Sequence, residues 1–362
     1  MKTYRKAVAN LPMHWGKAPR WLFTRMVKLA REITIAIITE YGSLEMLQRI
    51  SNPYWFQAFG CILGFDWHSS GVTTTVCGAL KKGLKGLEKD LDFFVAGGKG
   101  GTSRKTPSEI ESWGDKIHLG IEPDKLIYAS RMSAKVDSSA IQDGYNLYHH
   151  NFFFTRKGHW AVVQQGMNKK TRYARRYHWL SNECYSFTNE PNDKICDDKK
   201  YNYVLNLTSK KSDNSRSVIS EISKEKPKKI VNEYKKIITL NMPRREWITK
   251  DDIRPENLNR TLLKTYEKQP KNFESLLSIK GVGPKSIRAL SLISDLAYGT
   301  KADWEDPVKY SFAHGGKDGY PYPVDKENYD KSIEVLKRAI TVSKTERSEK
   351  RDMMKKLLNF PI

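Results

Sequence analysis

The run Ile279-Lys280-Gly281-Val282-Gly283-Pro284-Lys285 constrains this chain more than any other stretch. Two glycines separated by one residue make a turn that other residues enter at a steric cost, and the proline behind them suits the first position of a helix. Before the run, Phe273 to Leu277 reads as a short amphipathic helix. After it, Ile287, Leu290, Ile293 and Leu296 recur at helical spacing. The predicted element is a helix-hairpin-helix. Gly281, Val282 and Gly283 would let backbone N–H groups approach a phosphate, the following helix N-terminus would add partial positive charge, and Lys280, Lys285 and Arg288 would add full charges. Such an element grips a sugar-phosphate backbone without reading bases.

The charge balance agrees with a polyanionic partner. Lysine and arginine total 63 against 41 acids, a net +22, and each phosphate neutralised by a cation releases condensed counterions. DNA is expected ahead of RNA. No membrane partner is expected, because the apolar stretch Ile33–Ile38 is far too short for a span. The opening Met-Lys-Thr-Tyr-Arg-Lys leads into no long apolar segment. The expected location is the cytoplasm, with the nucleoid if DNA is bound. Cys61, Cys77, Cys184 and Cys196 form no C-x-x-C pair, so free thiols are expected rather than a zinc ribbon.

The chain of 362 residues divides by composition. Residues 1–190 read as an α+β domain for catalysis and nucleic-acid contact, 191–216 as a polar linker or insertion, and 217–362 as a helical domain carrying the hairpin. Helices are predicted from 18 to 60 with breaks at Gly42 and Asn52-Pro53, from Ala79 to Leu91, after a Thr106 cap, and from Ala129 to His150. Phe152–Phe154, a turn at Arg156-Lys157-Gly158 and Trp160–Gln165 read as a β-hairpin. Further helices are expected over Lys228–Leu240, Glu256–Lys268, Phe273–Ser278 and Pro284–Leu296, and a charged one over 345–356.

Several polar constellations lie outside the hairpin. The loop from Gly97 to Pro107 holds Lys99, Arg104 and Lys105 among glycines and hydroxyls before a helix start, a seat for phosphate. Its spacing is not that of a Walker A loop. Lys169 to Trp179 interleaves cations, among them Arg172, Arg175 and Arg176, with aromatics, which suits phosphate contact plus base stacking. Metal-dependent nucleases use an acid, a second acid or amide on a neighbouring strand, and a lysine near the scissile phosphate. Asp137, Asp143, Gln165, Lys135 and His149 are the candidates, with Asp137 and Asp143 as metal ligands, although no Glu-x-Lys appears on the strand. Asp66 and His68 form another polar cluster, and residues 310–319 a second glycine-rich loop.

Many of these strings together resemble an uncharacterised family found mainly in archaea and thermophilic bacteria, the domain-of-unknown-function family numbered 763. They include Gly16-Lys17-Ala18-Pro19-Arg20-Trp21-Leu22, Gly64-Phe65-Asp66-Trp67-His68, Gly97 to Pro107, Ala134 to Asp137, Gln142-Asp143-Gly144, Leu147 to His150, Gln164 to Met167, Ala174 to Trp179 and Ala313 to Gly319. The resemblance covers nearly the whole chain. It implies an archaeal or thermophile source and a helix-hairpin-helix in the C-terminal part, and it supplies no activity. A narrower resemblance is to helix-hairpin-helix DNA glycosylases with lyase activity, in which a lysine directly after the hairpin forms a Schiff base and an aspartate follows about five helical turns later. Lys285 lies two residues after Gly283, and Asp303 follows eighteen residues on.

The function expected from the sequence is DNA repair or processing by a metal-dependent nuclease using magnesium or manganese, with no cofactor otherwise. The alternatives are a glycosylase or abasic-site lyase using Lys285 and Asp303, a non-catalytic DNA-binding protein, and an RNA-binding or RNA-processing protein.

Overall fold

The computed structural model describes residues 18–65, 70–191, 194–197, 200–239, 253–309 and 326–342, with a few isolated positions beyond. Four helices open the described chain: α1 (Arg20–Tyr41), α2 (Ser43–Ser51), α3 (Pro53–Ile62) and α4 (Gly71–Gly83). The breaks fall where the sequence places them. Gly42 leaves α1 at φ 88°, and the Asn52 side chain caps α3 by accepting from the amides of Tyr54 and Trp55, with Pro53 at the first position. After the short α5 (Glu88–Leu91), the chain enters β1 (Phe94–Lys99).

An antiparallel sheet of five strands sits at the centre of the described residues, in the order β1, β3 (Asn146–Phe154), β4 (Trp160–Asn168), β5 (Tyr173–Leu180), β6 (Ile195–Cys196). The β3–β4 hairpin forms as expected but is much longer, because β3 begins at Asn146. The helix expected over Ala129–His150 is therefore corrected. It is α7 (Pro123–Lys135), followed by one wide π-type turn, Val136–Ala140, and the two-residue β2 (Ile141–Gln142). His149 and His150 belong to a strand. The aromatic run after them extends the pairing back toward Asn146, and strand residues alternate sides where helical ones would not.

That alternation sorts the core into two layers. On one face Phe94, Ala96, Phe152, Phe154, Val162 and Trp179 pack against α6 (Thr106–Gly114), α7 and the C-terminal helices α8 (Asp213–Ile222), α9 (Pro227–Ile238), α10 (Pro255–Lys268), α11 (Phe273–Ser278) and α12 (Pro284–Tyr298). On the other, Phe93, Val95, Phe153, Ala161, Val163 and Leu180 pack against α1–α4, joined by Val335, Leu336, Ala339 and Ile340 of α13 (Lys326–Val342). The architecture is α+β, as expected. The first cluster runs across residue 190, so the compositional boundary there is not a gap in packing.

The polar stretch 191–216 is more than a linker. Ile195 and Cys196 extend the sheet, and Leu205-Asn206 form β7, which pairs with β2. Thr106 does not cap α6; it is the helix's first residue, and its hydroxyl donates to the Ser103 carbonyl. The four cysteines form no disulfide. No described helix is long and apolar enough to cross a membrane. Asp66, His68, the 310–319 loop and most of 345–356 lie outside the described residues.

Candidate functional site

The glycine hairpin folds where the sequence puts it, between α11 and α12. Asn272 caps α11 by accepting from the Ser275 amide, Gly281 turns at φ 106°, and Pro284 starts α12. Val282 is buried, while Lys280, Gly281 and Lys285 are exposed. Among the described residues the Gly281 amide makes no hydrogen bond. Arg288 points elsewhere. It is buried with its guanidinium 5.1 Å from the Trp304 ring, and burial lowers its pKa to about 9.

The hairpin is fastened to the N-terminal half. Lys135, the last residue of α7, donates through Nζ to the Val282 carbonyl, and Gln142 Nε2 donates to the Pro284 carbonyl at 2.9 Å. Burial pushes the Lys135 pKa down. In this structure Lys135 holds a loop in place, a different duty from meeting a scissile phosphate.

A groove of about 1010 Å³ runs between α7 and the hairpin, lined by Tyr128, Arg131, Lys135, Lys280 and Gly281 among others. It shares Arg131, Ala134 and Leu147 with a smaller pocket of about 240 Å³, closed by Ser103, Arg104, Thr106, Ser130 and His150. The glycine loop thus forms the far wall of a depression that begins at the hairpin. Gly97 has to be glycine there: its φ is 90°, and a Cβ would stand 2.2 Å from the His150 carbonyl oxygen. Glu109 pins the loop, accepting from the Gly97 amide and from Lys81 Nζ, both at 2.7 Å. Lys99, Arg104 and Lys105 remain exposed.

Beneath the small pocket lies a buried polar chain. Ser130 Oγ is 2.9 Å from His150 Nε2, and His150 Nδ1 is 2.8 Å from Gln164 Oε1. Gln164 Nε2 donates to the Ser133 carbonyl at 3.0 Å and to Asp137 Oδ2, which also accepts from Trp179 Nε1 at 2.7 Å. A backbone carbonyl only accepts, so the amide nitrogen of Gln164 must face Ser133 and its oxygen must face His150. His150 then carries its proton on Nδ1, and the Nε2 lone pair meets the Ser130 hydroxyl. Burial lowers the His150 pKa to about 4 and, as the largest influence on Asp137, raises that carboxyl to about 8. Asp137 Oδ1 makes no hydrogen bond among the described residues.

The sheet separates the other candidates. His149 and Gln165 are cross-strand partners whose side chains lie on the α4 side, away from Asp137. Gln165 braces α4, accepting from Thr73 Oγ1 and donating to the Ser70 carbonyl at 2.9 Å. Both ring nitrogens of His149 are buried with no hydrogen-bond partner among the described residues, and burial lowers its pKa to about 3. Asp143 is occupied. It accepts from the Tyr145 amide at 3.0 Å, Tyr177 Oη at 2.7 Å and Arg175 at 2.9 Å. The expected metal ligands Asp137 and Asp143 engage separate hydrogen-bond partners, and among the described residues no group of three or more His, Cys, Asp or Glu could hold an ion.

Two of the predicted phosphate-binding arginines are also corrected. Arg175 and Arg176 are fully buried. Arg175 meets Asp143, Asp197 and Asp306 at 2.8–2.9 Å, and Arg176 donates to Gln57 at 3.1 Å. Arg172 stays exposed, in the turn before β5. Asp303 lies beyond the far end of α12 from Lys285, a helix of roughly 22 Å, where its backbone bridges to Asn206 and its carboxylate accepts from the Glu305 amide. Sequence reasoning missed Ser130, Arg131 and the role of Gln164. A signal was present: Ser130, Ser133 and Asp137 recur at i, i+3 and i+7, a polar stripe on one side of a helix.

The chain belongs to the family described as "Protein of unknown function (DUF763)", which matches residues 7–324. No curated protein and no solved structure gives a match.

Proposed function

Starting from a family whose description assigns no activity, we propose that this protein binds DNA through its backbone, along the depression that joins the glycine hairpin to the glycine loop. The carrying observation is the juxtaposition. Lys280 and Gly281 line one end, Arg131 the middle and Arg104 the other end, although these residues are separated by as many as 177 positions in the chain. Two turns rich in glycine and exposed cations, each at a helix start, offer the amides and charge that phosphates select. The exposed Lys105 and Lys285 each directly follow a lining residue, Arg104 and Pro284.

The test is fluorescence anisotropy with labelled duplex and single-stranded DNA, using Lys280→Glu at one end and Arg104→Glu at the other. Both variants should weaken DNA binding, and matched RNA should compete less well than DNA. Binding that neither reversal changes would overturn the proposal, and stronger competition by RNA would reassign the partner. Asp137 and Asp143 engage separate hydrogen-bond partners, and Lys285 and Asp303 stand toward opposite ends of α12.

A further inference from the structure

We propose that Ser130 is a nucleophile activated by His150, and that the small pocket transfers a phosphoryl group of a bound phosphodiester without using a metal; the substrate class rests on the DNA-binding reading above. The arrangement has three parts. Ser130 lies on the pocket wall, and its hydroxyl has one partner among the described residues, His150 Nε2 at 2.9 Å. The base is held in the required tautomer by Gln164, whose own orientation is fixed by the Ser133 carbonyl and Asp137. This is the logic of a nucleophile, a base and an orienting group, with an amide oxygen as the orienting acceptor and the carboxylate one residue further out. Third, Arg104 and Arg131 line the same pocket, where they can meet the charge on a pentavalent phosphorus.

A structural role alone would not require this layout. A serine on a buried helix face ordinarily satisfies its hydroxyl on the carbonyl four residues back. Here it faces a cross-element histidine at the floor of an opening, and the polar chain leads from that opening inward to Trp179. The π-type turn at Val136–Ala140 adds the extra residue that sets Asp137 inside.

Ser130 Oγ bonds to phosphorus as its proton passes to His150 Nε2. The bond from phosphorus to the leaving oxygen breaks, and that oxygen takes the proton from His150. Water then repeats the sequence in reverse, its oxygen bonding to phosphorus while the Oγ–P bond breaks and Ser130 recovers a proton through His150. The net reaction is phosphodiester plus water giving a phosphomonoester and an alcohol.

The probe is a fluorophosphonate, which phosphonylates activated serines with loss of fluoride. The full-length protein is treated in EDTA, and labelled sites are read by peptide mass spectrometry. In parallel, DNA binding and strand cleavage in EDTA are measured on the same preparation. We expect an adduct on Ser130, absent in Ser130→Ala and slowed about 10²–10⁴-fold in His150→Asn, together with EDTA-resistant strand cleavage that both variants lose. No adduct on Ser130 in protein that binds DNA overturns the proposal. An adduct with no DNA binding, or with DNA bound and uncleaved, retains the nucleophile and overturns the phosphodiester as its substrate; the first of these also removes the DNA-binding reading.

Discussion

Two buried polar systems lie on the same face of the sheet, and they are built to opposite ends. Around Arg175, a single cation is enclosed by the carboxylates of Asp143, Asp197 and Asp306 and by the rings of Tyr145 and Tyr201 at 4.7 and 5.5 Å. The carboxylates come from the segment after α7, the polar stretch and the segment after α12, so the cluster ties three distant parts of the chain to β5. Around His150 the groups form a line, and one end of the line opens on a pocket. The first system is closed on itself and holds the fold. The second presents a hydroxyl, a neutral imidazole and nearby arginines to whatever enters. Burial of charge by itself does not distinguish a site from a clamp; the direction in which the hydrogen bonds run does.

Arg175→Met should cost about 3–5 kcal/mol, because it leaves carboxylates buried without their cation. Urea or thermal unfolding would show it. Ser130→Ala should lie within about 1 kcal/mol of the wild type. Equal losses from the two substitutions would erase the distinction between clamp and site.

Lys135→Met probes the link between the halves. It removes a donor to the Val282 carbonyl and frees the hairpin, and it should weaken DNA binding by about five-fold, equivalent to about 1 kcal/mol. Anisotropy would measure it, and an unchanged Kd would show that the hairpin keeps its place without the lysine.

A separate effect is expected in the dependence of stability on pH. Asp137 titrates near 8 when folded and near 3.8 as a free carboxyl, so the folded state holds the extra proton between those values. Stability attributable to Asp137 should therefore fall as pH rises from about 4 to 8. His150 and His149 have the opposite sign. Their folded values of about 4 and 3 lie below the ordinary 6.5, so the unfolded state binds more protons and stability rises with pH up to about 6.5. Of these three groups only Asp137 acts between 6.5 and 8. Stability in that window should decline with pH in the wild type and decline less in Asp137→Asn; identical slopes would refute the raised carboxyl.

Local order was legible in the sequence where one residue decides it. Gly42, Asn52-Pro53, Gly281 and Pro284 each carry a backbone preference that tertiary packing did not override, and the helices they bound are where they were expected. The stretch from 129 to 150 was not legible, because helix and strand periods overlap across it and a π-type turn matches neither. The sites failed for a different reason. His149 and Gln165 are near Asp137 along the chain, yet strand alternation places a sheet between them. Arg175 and Arg176 look like surface charge in a basic run, and only the distant Asp197 and Asp306 show why the first is buried. Ser130 and Gln164 could be named as polar residues, but their connection through His150 exists only once β3 and β4 pair beside α7.

In the proposed complex one strand of DNA backbone is held along the depression from the hairpin to the glycine loop. The most direct measurement is the dependence of Kobs on salt for the wild type and for Lys280→Ala, Arg104→Ala and the double variant. Each substitution should reduce the magnitude of the slope of log Kobs against log[salt] by about 0.7–0.9, and the double variant by about twice that. A slope near zero in the wild type, or slopes unchanged by all three variants, would contradict it.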